Sequence, residues 1–204
     1  APSPVMNKVS AQLSYLVIFN PTLASLSPTE DEDEIEQAHI LFYTSRSRAV
    51  SRDTMLRQVG LAKALINFSA LFAHGAACDN VHSQRKRMIM VSPEPKFWMH
   101  ACIDLGRTGR PNPLVTNGKG KAKEAVPPIE PLYDYLDHPT IDSAIRLQFL
   151  RAYEEFKLLH GTFGEILRKS GKSSLERSLE QFFNVWALRW DLDSTPDLVS
   201  HLGQ

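Results

Sequence analysis

The feature that most constrains this chain is a short apolar run near its start. Leu13 is followed by Tyr15-Leu16-Val17-Ile18-Phe19, and the run ends at the turn signal Asn20-Pro21. Successive residues of a strand face opposite sides of a sheet, so a strand with one wet face alternates apolar with polar. This run does not alternate, and it reads as a strand buried on both faces. A sheet covered on both sides calls for helices packed on each face.

The rest of the chain supplies them. Residues 40–44 are rich in strand formers and pair with the first strand as a long-looped hairpin. The acidic run between them, Glu30, Asp31, Glu32, Asp33, Glu34 and Glu36, reads as a solvated loop. Ser51-Arg52-Asp53-Thr54 opens a helix, with Ser51 as cap and Asp53 near the positive end. That helix runs to about Phe72 and stops near Gly75. Three strands follow, over 80–83, 87–91 and 97–105, separated by the basic turn Gln84-Arg85-Lys86-Arg87 and by Ser92-Pro93-Glu94-Pro95.

Residues 106–131 are dominated by Gly, Pro, Asn and Lys, and read as a flexible insertion. A helix over 142–160 carries the stripe Ile145, Phe149, Ala152, Tyr153, Phe156 and Leu159. Ser173 and Glu176 form a capping box for a last helix with the stripe Leu175, Leu179, Phe182, Trp186 and Trp190. The expectation is one α+β domain over 1–204. Its sheet has five mostly antiparallel strands, with one helix on one face and two on the other.

Composition narrows the function. Lysine plus arginine and aspartate plus glutamate both number 23, so the formal net charge is zero, which argues against a dedicated nucleic-acid surface. Two cysteines, Cys78 and Cys102, are too few for a disulfide framework. Ala1 to Ser10 lacks the apolar core of a signal peptide, and no run approaches the ~20 apolar residues of a membrane-spanning helix. A cytosolic protein with at most peripheral membrane contact is expected.

Several motifs suggest chemistry and lack its full requirements. Gly171-Lys172-Ser173 looks like the end of a phosphate-binding loop, but that loop needs a glycine where Ile166 stands. Cys78, His82, His100 and Cys102 are zinc-ligand types, with His100 and Cys102 on one strand face, yet they lack the tight paired spacing of zinc fingers. There is no Gly-x-Ser-x-Gly elbow and no His-Glu-x-x-His. Asp104, Glu130, Asp134 and Asp137 fall in or near loops with nothing to pair them as acid and base. The expectation is a protein without catalytic chemistry, metal or cofactor of its own.

The helix over 53–72 is the most informative element. Wound at about 100° per residue, Met55, Val59, Ala62, Ile66 and Ala70 form one stripe. Leu61, Leu65, Phe68 and Phe72 form a second, about 120° away. Two stripes are more than a helix lying on one sheet needs; either loops or a partner cover the second. The remaining face holds Leu56, Arg57, Gly60, Lys63, Ala64 and Asn67. Its small residues would allow close approach of another backbone, unless that face is simply solvated.

Six segments in order carry a resemblance. They are Phe19-Asn20-Pro21, Arg57-Gln58-Val59-Gly60-Leu61-Ala62, Val81-His82-Ser83-Gln84-Arg85-Lys86-Arg87, Glu94-Pro95-Lys96-Phe97-Trp98-Met99, Gly161-Thr162-Phe163, and Leu175-Glu176-Arg177-Ser178-Leu179-Glu180-Gln181-Phe182-Phe183. Together they resemble the calcium-caffeine-zinc-sensitivity vacuolar fusion protein family, over roughly residues 13–190. The resemblance implies the N-terminal longin domain of a longer protein that pairs with a Mon-type longin subunit. It also implies guanine-nucleotide exchange on a late-endosomal and vacuolar Rab GTPase (the Rab-seven class), with peripheral attachment to that membrane through the full complex. The resemblance further implies that the first longin domains of the two subunits pair and bind the GTPase jointly. Leu56, Arg57, Gly60, Lys63, Ala64 and Asn67 are therefore the expected GTPase face. Leu61, Leu65, Phe68 and Phe72, or Val81 and His82 on an edge strand, are the expected subunit contact. The alternative is a longin adaptor or tether subunit without exchange activity.

Overall fold

A computed structural model describes residues 8–24, 31–47, 49–72, 80–109, 132–135 and 141–190. In chain order the elements are β1 (Lys8–Val9), β2 (Gln12–Phe19), α1 (Glu32–His39), β3 (Ile40–Ser45), α2 (Arg52–Phe72), β4 (Asn80–His82), β5 (Lys86–Glu94), β6 (Phe97–Asp104), β7 (Arg107–Gly109), β8 (Tyr133–Tyr135), α3 (Ile141–His160), α4 (Phe163–Ser170) and α5 (Lys172–Arg189). Among these residues the main sheet has the order β3-β2-β6-β5-β4, every neighbour antiparallel. β1, β7 and β8 form a separate small ribbon.

The apolar run of β2 is buried on both faces, as its lack of alternation requires. Leu16 and Ile18 join the larger core with Ile89, Met99 and Ile103 of the sheet and Ile145, Phe149, Phe156, Leu175, Leu179 and Phe183 of the helices. Tyr15, Val17 and Phe19 point the other way, into a second cluster under α2 with Leu56, Val59 and Ala62. Thus α2 lies on one face and α3 and α5 on the other, in an α+β arrangement.

Four local expectations differ. The acidic run is not a loop from Glu32 onward but the helix α1. Asp31 caps it by accepting the Asp33 amide at 3.0 Å, and three acids in its first turn sit at the positive helix end. Ser173 is not the cap of the last helix. Gly171, at φ 82°, ends α4 and starts α5 directly, with no side-chain cap, so Ser173 lies inside the first turn. The sequence also gave no sign of α4, which Gly161, at φ 94°, separates from α3. Finally, β5 continues through Ser92-Pro93-Glu94, past a register irregularity, to pair Glu94 with Phe97. Of the expected flexible insertion, 107–109 is strand; residues 110–131 lie outside the described residues.

Candidate partner-binding surface on the long helix

Helix α2 sits on the sheet through Leu56, Val59 and Ala62, all buried, with Met55 and Ile66 half-buried beside them. Polar groups beneath it are tied down. The Tyr15 hydroxyl pairs with His100 Nε2 at 2.9 Å, the Tyr43 hydroxyl donates to Gln58 Oε1 at 2.7 Å, and the two tyrosine rings stack. Burial lowers His100 to a pKa of about 4 and pushes the Cys102 thiol up to about 11. A thiol so raised is not a nucleophile at neutral pH, and a fully buried, uncharged imidazole is not placed to exchange protons with a substrate. His100 and Cys102 do share one face of β6; His82 sits instead on the edge strand β4, and Cys78 lies outside the described residues. Among the described residues no cluster of three His, Cys, Asp or Glu could hold a metal.

The second apolar stripe is exposed. Leu61 is 41% exposed and Phe68 62%, with Leu65 half-buried between them. Leu71, 78% exposed, lies instead in line with Gly60, Ala64 and Asn67 on the other exposed face and was not picked out by the sequence pattern. Only the backbone of Phe72 is described. The geometry explains the stripe's position. The 21 residues of α2 make a helix of about 31 Å, and its fully buried contacts end at Ala62. The last two turns therefore reach beyond the tightly packed part of the sheet.

The polar face is smaller than expected. Arg57 is exposed and holds Asp53 one turn back at 3.2 Å. Gly60 has open space around the position of a Cβ, and Ala64 and Asn67 are exposed. Two of the expected contact residues do not belong to this face. Leu56 is buried at 8% exposure, because it lies one turn before Val59 on the packed ridge. Lys63 is largely buried, its ammonium engaged by Glu36 and by His39 Nδ1 of α1. Burial, and then the Lys63 charge, lower the pKa of His39.

The edge-strand candidates are also placed. Val81 is half-buried, and His82 is exposed and paired with Asp142 in the first turn of α3. Asp142 in turn faces the buried Arg87 at 3.3 Å. Asp104 meets Lys86 at 3.7 Å across the strands, as an exposed ion pair. Asp134 stands on β8; Glu130 and Asp137 lie outside the described residues.

Two of the sequence segments that carried the resemblance meet in space. The Glu94 carboxylate accepts the backbone amides of Phe163 and Gly164 and the Tyr153 hydroxyl, the last at 2.9 Å. It thus caps the positive end of α4, beside Thr162, which accepts the Glu165 amide. A Cβ at Gly164 would come within 3.2 Å of Glu94 Oε2, so glycine there is part of the same contact. Burial, then the Glu94 partner, raise the Tyr153 pKa.

No helix among the described residues is long and apolar enough to cross a membrane. Comparison with known proteins gives a consistent answer. A vacuolar fusion protein CCZ1 homolog of Nematostella vectensis is 28% identical over 176 residues, 86% of this chain and 34% of that protein. The corresponding homolog of Danio rerio is 28% identical over 186 residues, 91% of this chain and 34% of that protein. The one of Dictyostelium discoideum is 22% identical over 194 residues, 95% of this chain and 38% of that protein. The chain therefore spans about a third of the length of these relatives. A family model described as the first longin domain of INTU, CCZ1 and HPS4 matches residues 13–188. With the two-faced sheet and its flanking helices, that match over most of the length means that the chain belongs to the family of first longin domains of INTU, CCZ1 and HPS4.

Proposed function

We propose that this domain is the pairing and GTPase-binding part of one subunit of a two-subunit guanine-nucleotide exchange factor. Its partner is a Mon-type longin subunit, and its substrate a late-endosomal or vacuolar Rab GTPase. The reading is supported by relatives named as vacuolar fusion proteins and by one structural observation. Helix α2 is anchored by a buried ridge while offering two exposed surfaces, an apolar stripe through Leu61 and Phe68 and a small-residue face through Gly60 and Ala64.

A rigid helix with two exposed surfaces suits a platform shared with a partner. The apolar stripe takes the neighbouring subunit, where burying one such side chain contributes about 1.5–3 kcal/mol. The small face lets the GTPase backbone approach, with Arg57 at the rim.

Exchange needs no acid, base or nucleophile on this chain. A protein that binds the nucleotide-free GTPase more tightly than the loaded form must weaken nucleotide binding by the same factor. Magnesium and nucleotide belong to the GTPase. The domain works from the cytoplasm, held peripherally at the vacuolar or late-endosomal membrane as part of the complex.

The test mixes the intact protein, the Mon-type subunit and the Rab loaded with a fluorescent nucleotide. Accelerated release that requires both subunits is expected. Binding to the Rab with no acceleration would replace this reading with that of a longin adaptor or tether.

A further inference from the structure

The layer of α3 and α5 buries its inner face in the larger core, but its outer seam is left open. The two helices run antiparallel. Phe149 of α3 lies against Trp186 and Trp190 at the end of α5, and Phe156 lies against Phe182 and Phe183 nearer its middle. Along the seam Gln148, Ala152, Glu155 and Leu159 fall in one line on α3, since residues three or four apart are neighbours on a helix surface. Phe182, Trp186 and Trp190 of α5 are only half-buried beside them. A groove of about 230 Å³ opens between Ala152, Trp186 and Trp190, and Trp190 is fixed there by its indole N–H, donated to Gln148 Oε1.

Leu159 continues the same line to the far end of α3, where it is 71% exposed. Apolar side chains exposed singly mean little, but these are aligned over about 16 Å, the rise from Gln148 to Leu159. Charge marks one end of the seam only. Arg151 and Arg189, one on each helix, line the tryptophan end, are exposed, and form no ion pair with a described residue. Glu155 is the one acid among the lining residues, so positive charge is in excess there.

Backbone chemistry decides what fits. Both walls are helices, whose own N–H and C=O groups are paired internally, so an extended segment would leave its backbone groups without partners in an apolar seam. A helix arrives with its backbone already paired and lays an apolar face, at i, i+3, i+4 and i+7, into such a groove. We propose that the α3/α5 seam docks an amphipathic helix of a partner protein, about three turns long, whose acidic end lies against Arg151 and Arg189. Its apolar face covers Trp186, Phe182 and Leu159. The excess of arginine at one end fixes the direction in which that helix lies.

This inference does not rest on the exchange reading, because α3 and α5 cover the face of the sheet opposite α2. The intact protein is titrated calorimetrically with a synthetic helical peptide of about three turns. The peptide carries leucines at the stated spacing and glutamates at one end; a second peptide carries lysines in place of the glutamates. Saturable binding of the glutamate peptide is expected, with the lysine peptide about tenfold weaker, since each exposed charge pair contributes up to about fivefold. Arg151→Glu with Arg189→Glu should reverse that preference, and Leu159→Asp should weaken the glutamate peptide about tenfold. If the charge-reversed variant melts lower than the parent, Arg151→Gln with Arg189→Gln should still abolish discrimination between the peptides. Phe68→Asp, on the other face, should leave binding unchanged. Failure of the folded parent to bind the glutamate peptide would overturn the proposal, as would equal binding of both peptides or loss of binding on Phe68→Asp. Self-association of the parent that Arg151→Glu with Arg189→Glu dissolves would overturn it too, by assigning the seam to a second copy of the chain.

Discussion

Phe68→Asp separates an interface from a core more cleanly than any other single change in α2. Burying a whole aromatic side chain removes about 200 Å² from water. Phe68 is 62% exposed, so about 120 Å² of it remains to be covered by a partner. At ~25 cal/mol per Å² that is about 3 kcal/mol, or more than a hundredfold in affinity. The aspartate adds its own desolvation cost if the contact still forms. In the isolated domain the same change should cost little, because surface substitutions usually stay within about 0.5 kcal/mol. A carboxylate near the helix C-terminus adds about 0.3–1 kcal/mol against the dipole. The assay is calorimetric titration of the variant with the Mon-type subunit, with its thermal melt recorded alongside. Val59→Asp is the contrasting control. Val59 is wholly buried, and that variant should fail to melt cooperatively at all. A Phe68→Asp protein that melts like the parent and pairs with unchanged affinity would refute the assignment of the stripe to the subunit contact.

Three further outcomes follow from the same contacts. Ala64→Arg should slow Rab nucleotide release at least tenfold in the two-subunit assay while pairing is retained. Arg57→Ala should mainly change the salt dependence of association, as expected for a rim charge; normal release by the Ala64 variant would mean that this face is only solvated. His100 titrates near 4 when folded and near 6.5 when unfolded. The unfolded chain thus binds the proton first as pH falls, and stability is lost from about pH 6.5 down to about 4. The loss reaches at most about 3 kcal/mol, and urea melts of His100→Gln should show a flatter pH dependence across that window. Glu94→Ala strips two amides and one hydroxyl of their acceptor and should cost about 2–4 kcal/mol in calorimetric melts; a loss under 0.5 kcal/mol would mean that water replaces the carboxylate.

Layering was legible because it follows from residue order alone. A run such as Tyr15 to Phe19 has no wet face, and the stripes from Ile145 to Phe156 and from Leu175 to Trp190 have only one way to bury themselves, although Leu159, expected in the first of them, is 71% exposed at the end of α3. Two features were not legible. The end of α3 at His160 was read, but α4 behind it was not, because a helix of eight residues shows too few repeats of the 3.6-residue period to stand out. The capping pair Ser173 and Glu176 has the right spacing for its motif, yet Gly171 had already started the helix. Glu94 was visible only as part of a recurring segment. Its physical role needed the third dimension, since Phe163 and Gly164 lie about seventy residues further along.

The two errors in the expected GTPase face have one cause. A helical wheel gives the angle between residues but not where the buried arc ends. Leu56 stands one turn before Val59 and Lys63 one turn after it, so both flank the packed ridge rather than the outer face. Leu56 is buried by that phase alone. Lys63 needed a further fact, that the acidic run folds as α1 and delivers Glu36 and His39 to its ammonium. Reading the acids as a solvated loop removed the only partner that explains why a lysine can lie there largely covered, and so left it looking like a free surface charge. The same contact ties the acidic α1 to α2, the helix that carries both candidate surfaces. Substituting Lys63 would therefore loosen that junction as well as change the surface. A loss of exchange in a Lys63 variant would say nothing about GTPase contact, whereas losses at Ala64, Gly60 or Asn67 would.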